Sequence, residues 1–266
     1  MTSPHANEPG TKGRWGDLMP RIISALVMVA VGLGAIWAGG LVFTLVIALC
    51  CGGMVWELSQ MLAPRRSDTA LQLGFATAGA VFVATFLPTW LGVILLLVPV
   101  VQGWVLVSKP AKLRLAFFAL WVGLAGYSFV WMRLSLGADW LIWLAVVVVA
   151  TDVAGYFAGK TFGGPKFWPR ISPKKTWSGT SAGWIAAALV GAGAAPLFDM
   201  GFAMVLASVL VSMASQAGDV AESALKRQTG VKDSSGLIPG HGGLLDRFDG
   251  MLGAAAMFLF LYTFLG

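Results

Sequence analysis

The sequence predicts an all-α, polytopic integral membrane bundle of about nine transmembrane helices, with its N-terminus cytoplasmic and its C-terminus outside. Three observations predict it. The 266 residues are 58% hydrophobic and only 11% charged, with a mean hydropathy of +0.80, whereas soluble domains carry about 25% charged residues. Apolar runs recur along the whole chain, each about as long as a helix needs to cross a hydrocarbon core of roughly 30 Å. Threading those runs through a bilayer in order places nearly every Lys and Arg on one side.

Residues 1–21 are polar and rich in Gly and Pro, and read as a flexible cytoplasmic tail with Lys12, Arg14 and Arg21 near anionic lipid. The first apolar run begins only at Ile22 and is one of many similar runs, so it reads as a span and not as a cleaved signal peptide. Spans over 22–38, 41–62, 70–87, 90–107 and 115–136 make an N-terminal membrane region, 22–136, assigned to packing and a dimer interface. Cys50 and Cys51 are adjacent within the second span, where neither bridging nor metal spacing is available, and read as small packing residues. Spans over 140–158, 180–197, 202–218 and 250–265 belong to a C-terminal catalytic region, 137–266.

The inner loops then hold Arg65 and Arg66; Lys109, Lys112 and Arg114; Lys160, Lys166, Arg170, Lys174 and Lys175; and Lys226, Arg227, Lys232 and Arg247. Only Arg133 falls outside. The outer connections (AGG, PTW, LGAD) are too short to house a site. Chemistry is therefore expected at the cytoplasmic face, in the long inner loops 159–179 and 219–249. Nucleic acid is not an expected partner.

Two constellations stand out there. Asp152 lies about 18 Å into its span, where an ionisable group costs at least about 2.5–3.5 kcal/mol and by default marks function. The competing reading is an Asp bonded to a neighbouring helix. Gly155 and Gly159 on the same helix allow close helix approach. Ser172, Lys174, Lys175 and Thr176 follow, and such lysines and hydroxyls suit a polyphosphate.

In the second constellation, a helix continuing past 218 puts Asp219, Glu222, Ser223 and Lys226 on one face. A turn at Gly230 leads through Lys232 to His241-Gly242-Gly243, a Gly-rich bend whose N–H groups can approach a ligand. His241 reads more simply as a hydrogen-bonded loop residue than as a base. Asp246 and Asp249 are three apart and, with Asp219, are expected to form an all-oxygen cage of the kind Mg²⁺ selects. Acidic residues also suit a helix N-terminus, but the surrounding Lys226, Arg227, Lys232 and Arg247 are not explained that way. Carboxylates for a cation and cations for phosphates describe Mg²⁺-nucleotide or pyrophosphate chemistry. The sequence holds no HExxH motif or Walker A loop.

Ser223-x-Leu225-Lys226-Arg227, followed by Lys232-Asp233-x-Ser235-x-x-Ile238-Pro239-x-His241-Gly242-Gly243-Leu244-x-Asp246-Arg247-Phe248-Asp249, resembles the signature of the phosphatidate cytidylyltransferase (CDP-diacylglycerol synthase) family. The stretch from Asp152 through Tyr156-Phe157 to Ile171-Ser172-Pro173-Lys174-Lys175-Thr176-Trp177 resembles a second characteristic segment. It departs at Ser178, where the family usually has Glu, so no acidic role is carried over to that position.

The resemblance implies transfer of CMP from CTP to phosphatidic acid, with CDP-diacylglycerol and pyrophosphate as products. It also implies Mg²⁺, a second metal or a monovalent cation such as K⁺, a bacterial inner-membrane setting with a cytoplasmic active site, and a homodimer. On that basis Asp219, Asp246 and Asp249 are expected to hold metal. Lys226, Arg227 and Arg247 would hold triphosphate or departing pyrophosphate. Ser172, Lys174, Lys175, Thr176, Ser223, Lys232, His241, Gly242 and Gly243 would contact substrate, with Asp152 and Glu222 in supporting or metal roles. A CTP-dependent polyprenol kinase and an ion-coupled transporter using Asp152 are the rival readings.

Overall fold

The computed structural model describes residues 18–265. Most of the expected tail, including Lys12 and Arg14, lies outside the described residues, and residues 18–21 are already helical. The helices are α1 (Leu18–Ala38), α2 (Gly40–Leu62), α3 (Ser67–Ala84), α4 (Thr89–Leu95), α5 (Leu97–Leu106), α6 (Ala111–Trp131), α7 (Ala138–Thr161), α8 (Trp177–Phe198), α9 (Phe202–Thr229) and α10 (Leu245–Leu265). A two-stranded hairpin, β1 (Lys166–Trp168) and β2 (Ser172–Thr176), separates α7 from α8.

Among the described residues, seven segments are long and apolar enough to cross a membrane: α1, α2, α4 with α5, α6 with its extension, α7, α8 and α9. The expected span 90–107 is broken at Leu96 between α4 and α5. Pro99 follows at the third position of α5, where it has no N–H to offer the carbonyl of Leu95. The end of the expected span 115–136 is a single π-helical turn, Met132–Leu136, closed by Gly137. It carries Arg133, the one basic residue the charge map left outside. Its Nε donates to the carbonyl of Ile36, 2.8 Å away, at the C-terminal end of α1, where helix carbonyls favour a cation.

At 28 residues, α9 is about 42 Å long and exceeds a bilayer core of roughly 30 Å. Its last turns, from Asp219 onward, form the overhang. The helix ends at Gly230, left-handed at φ 74°, whose N–H returns to the Lys226 carbonyl. Small residues bring the C-terminal helices together. Gly155 of α7 and Gly179 of α8 abut so closely that a Cβ on either meets the other's backbone, and a Cβ on Gly159 meets Thr176 Oγ1. Gly218 of α9 lies likewise against the backbone of Asp249 in α10. Buried hydroxyls join α7 to α9, through Thr151 to Ser212 (2.8 Å) and Trp143 Nε1 to Ser208 (3.0 Å).

Among the described residues, this hairpin and an isolated antiparallel bridge between Ile238 and Gly242 are the departures from helical structure. β1 and β2 pair antiparallel, Lys166 opposite Thr176 and Trp168 opposite Ser172. Pro169 sits in the turn between them, where the Ile171 N–H donates to the Trp168 carbonyl at 3.2 Å. Thr176 is buried and caps α8, its Oγ1 accepting from Gly179 N at 3.2 Å. Ser178 donates to the Gly163 carbonyl and lies 3.0 Å from Thr176 Oγ1. Position 178 thus ties the base of the hairpin together, and the Thr176 hydroxyl is turned inward onto α8.

Candidate active site

Two polar clusters form where α7, β2, α9 and α10 meet. In the first, Lys175 Nζ of β2 lies 2.6 Å from Asp219 Oδ2 of α9. Ser223, one turn later on α9, donates to Asp219 Oδ1 at 3.2 Å. Asp249 stands within electrostatic reach of both Asp219 and Asp152. Asp249 reaches this point because Gly218, beside Asp219, lets the α10 backbone lie directly on α9. Among the described residues Asp152 has no hydrogen-bond or ion-pair partner, so no neighbouring helix satisfies it. Three carboxylates from three helices thus share one end of the bundle with one lysine.

The second cluster is centred on Lys226. Its Nζ lies 2.6 Å from Glu222 Oε2, one turn back, and 2.6 Å from Asp246 Oδ1 on α10. The Glu222 contact is an ion pair outside hydrogen-bond geometry, and Glu222 Oε1, also buried, has no partner among the described residues. The other oxygen of Asp246 accepts from Ser234 N (2.7 Å), Ser234 Oγ (2.8 Å) and Gly243 N (2.8 Å). These groups come from the loop between α9 and α10, whose Ile238-Pro239-Gly240-His241 turn closes with His241 N donating to the Ile238 carbonyl at 2.9 Å. Pro at the second position and left-handed Gly240 at the third specify that turn. His241 Nδ1 lies 2.8 Å from Ser24 Oγ of α1, which also donates to the Pro239 carbonyl at 3.0 Å. His241 is therefore a loop anchor.

The three aspartates expected to hold metal are divided between the two clusters. Asp246 and Asp249 are three residues apart, but Asp246 lies in the first turn of α10 and turns back to satisfy loop N–H groups, while Asp249 faces α9. Among the described residues, no three Asp, Glu, His or Cys side chains converge closely enough to cage a metal by themselves. Gly242 is left-handed at φ 83° and Gly243 is buried against Ser234 and Glu57, so the Gly-rich bend supports the loop. Lys174, Arg227, Lys232 and Arg247 are exposed and, among the described residues, make no ion pair; Ser172 is half-buried in β2.

One residue of this end was not anticipated. Glu57, fully buried in α2, accepts from Ser234 Oγ (3.1 Å), Ser235 Oγ (2.6 Å), Leu244 N (2.9 Å) and Leu245 N (2.8 Å). The available signal was the one used for Asp152, an acid inside an apolar run.

Fold and cluster together define a polytopic membrane protein with a lysine-bordered group of carboxylates at one end of its bundle. The profile of the cytidylyltransferase family matches residues 19–265. The chain is 38% identical over 256 residues to a phosphatidate cytidylyltransferase of Brucella suis, covering 93% of each chain. It is 34% identical over 261 residues to one of Pseudomonas aeruginosa, covering 91% of this chain and 95% of that one. A third, of Helicobacter pylori, is 42% identical over 147 residues, 54% of each chain. The chain belongs to the cytidylyltransferase family and is a nucleotidyltransferase.

Proposed function

We propose that this protein transfers CMP from CTP to phosphatidic acid, giving CDP-diacylglycerol and pyrophosphate for phospholipid biosynthesis. The observation that carries the reading is the gathering of Asp152, Asp219 and Asp249 with Lys175 beside an apolar groove. That groove, about 720 Å³, runs between α1, α2 and α10 and is lined by residues such as Val27, Val31, Ile47, Phe248 and Met251. Phe248 faces the groove while the adjacent Asp249 faces the polar cluster, so an acyl chain and a phosphate headgroup could be held one residue apart. The names of the relatives support the same substrate pair.

The nucleophile is an oxygen of the lipid phosphate, which carries about −1.5 to −2 charge near pH 7. It forms a bond to the α-phosphorus of CTP; the bond from that phosphorus to the bridging oxygen breaks, and pyrophosphate leaves with the electron pair. No proton need be removed, so the barrier lies in bringing anions together, and catalysis rests on positioning and charge neutralisation. Lys175, poised on Asp219, and the exposed Lys174, Arg227, Lys232 and Arg247 supply positive charge for the phosphates. Ser172 and Ser223 offer neutral donors. Lys226 is already held between Glu222 and Asp246 and positions α10.

A divalent cation fits the donors present. Asp219 and Asp249, with Asp152 beside them, are hard oxygen ligands, and the unpartnered Glu222 oxygen lies close by. Mg²⁺ commonly takes one or two carboxylates and completes its shell with water and phosphate oxygens, so a closed protein cage is unnecessary. When bound there, it would neutralise charge on the triphosphate. A second cation such as K⁺ belongs to the same proposal.

The charge distribution supports an N-terminus and active site on the cytoplasmic side of a bacterial inner membrane, where CTP and the lipid headgroup meet. A homodimer completes the proposed assembly. Purified protein supplied with CTP, Mg²⁺ and either phosphatidic acid or a polyprenol tests the reading. CDP-lipid and pyrophosphate are expected from phosphatidic acid alone; CDP and a phosphorylated alcohol would instead identify a polyprenol kinase.

A further inference from the structure

We propose that Glu57, from the N-terminal half of the chain, is a positioning residue that sets the register of the α9–α10 loop and of the first turn of α10. The side chain sits in a fully buried pocket and faces four donors, two hydroxyls and two backbone N–H groups. They come from both ends of the loop, Ser234 and Ser235 at one and Leu244 and Leu245 at the other. One side chain therefore clasps the two ends together from a third helix. Leu244 N and Leu245 N are among the orphan donors at the α10 N-terminus, which a carboxylate satisfies with favourable dipole interaction.

The clasp extends to the active site. Ser234 Oγ lies 3.1 Å from Glu57 Oε2 and 2.8 Å from Asp246 Oδ2, and its single proton serves one of them at a time. Glu57 and Asp246 thus hold the same hydroxyl from opposite sides. Asp246 in turn holds Lys226, and Asp249 lies less than one turn further along α10. Gly243 is required at this junction, because a Cβ there would run into both Ser234 Oγ and Glu57 Oε1. The other side of the same loop, at Leu237, Ile238, Pro239 and Leu244, walls the apolar groove. Glu57 consequently fixes the partition between the groove and the carboxylates.

The chemistry of the pocket separates this role from simple packing. An acid that merely fills space would be replaced harmlessly by the isosteric, neutral Gln, which removes a buried charge. A clasp that accepts three hydrogen bonds and shares a fourth with Asp246 would not, because Gln keeps one oxygen and turns an NH₂ toward groups that are themselves donors. Asp keeps both oxygens one methylene further back, and should restore part of the function.

The test uses the full chain in detergent, comparing Glu57→Gln, Glu57→Asp and Ser235→Ala with the parent by amide hydrogen exchange and by kinetics. Exchange across 234–248 should quicken about tenfold in Glu57→Gln, the loss of roughly one to two net hydrogen bonds, and less in Glu57→Asp. The kinetic arm rests on the proposed CMP transfer. There kcat should fall about 10²-fold in Glu57→Gln, the typical effect of a misplacement of about 1 Å, with KM for CTP little changed and partial rescue by Asp. Parent-like exchange and kcat in Glu57→Gln would overturn the proposal. If that variant does not fold, Ser235→Ala decides: because Ser235 Oγ also accepts from Leu237 N at 3.1 Å, the readout is at Leu244 and Leu245, where faster exchange supports the clasp and unchanged exchange overturns it. A parent protein that makes no CDP-lipid would refute the function while leaving the exchange result to judge Glu57.

Discussion

Lys226 separates two accounts of the polar end of the bundle. It has the charge to hold a triphosphate, yet its ammonium lies 2.6 Å from carboxylates on two helices, whose side chains are only 1% and 3% exposed. Replacing it with Met keeps the volume of the stem and strands both acids. Removing one partner of a buried ion pair costs about 3–5 kcal/mol. At about 2–4 °C per kcal/mol for a chain near this size, the melting temperature should fall by about 6–20 °C. Asp246 retains three other donors, whereas Glu222 has no hydrogen bond, so most of the loss should fall on Glu222. Lys226→Met with Glu222→Gln should then recover at least about half of the shift. Melting in detergent can be followed with a thiol-reactive dye, because Cys51 is buried and becomes reactive on unfolding. A Lys226→Met protein melting within about 2 °C of the parent, with a raised KM for CTP, would refute the clamp and restore a phosphate-binding role.

Other consequences are as direct. Asp219→Asn and Asp249→Asn should each lower kcat by at least about 10²-fold while leaving melting within a few degrees, because transition-state charge stabilisation is lost and no helix cap is; product formation and melting curves check both. Chelation by EDTA should abolish turnover, and added Mg²⁺ should restore it. Thr176→Val should cost about 1 kcal/mol through loss of the α8 N-cap, visible as a melting shift of a few degrees with KM for CTP unchanged. Arg247→Ala, at an exposed position, should raise KM for CTP and leave stability within about 0.5 kcal/mol.

Much of this architecture is legible in the sequence because lipid enforces simple rules. Apolar length marks the helices, and Gly155, Gly159 and Gly230 mark a close contact and a stop. The i, i+3, i+4 spacing places Asp219, Glu222, Ser223 and Lys226 on the overhanging face of α9. Asp246 and Asp249 point to different clusters for a local reason: a carboxylate in the first turn of a helix answers to orphan N–H groups, so helical spacing alone does not settle where it points. The hairpin is hidden because Ser172–Thr176 is short, Pro-containing and lacks alternation. Glu57 is hidden because its four donors lie some 180 residues away in sequence, and hydropathy shows one acid in an apolar run without its partners.

In the proposed reaction this site joins the α-phosphorus of CTP to a lipid phosphate. That reaction is tested most directly by incubating the purified protein with phosphatidic acid, Mg²⁺ and CTP labelled at either the α- or the γ-phosphate, and following label into the organic phase. The α-label is expected in the lipid product and the γ-label in released pyrophosphate. Label from the γ-phosphate in lipid, or none from either position, would contradict that reaction.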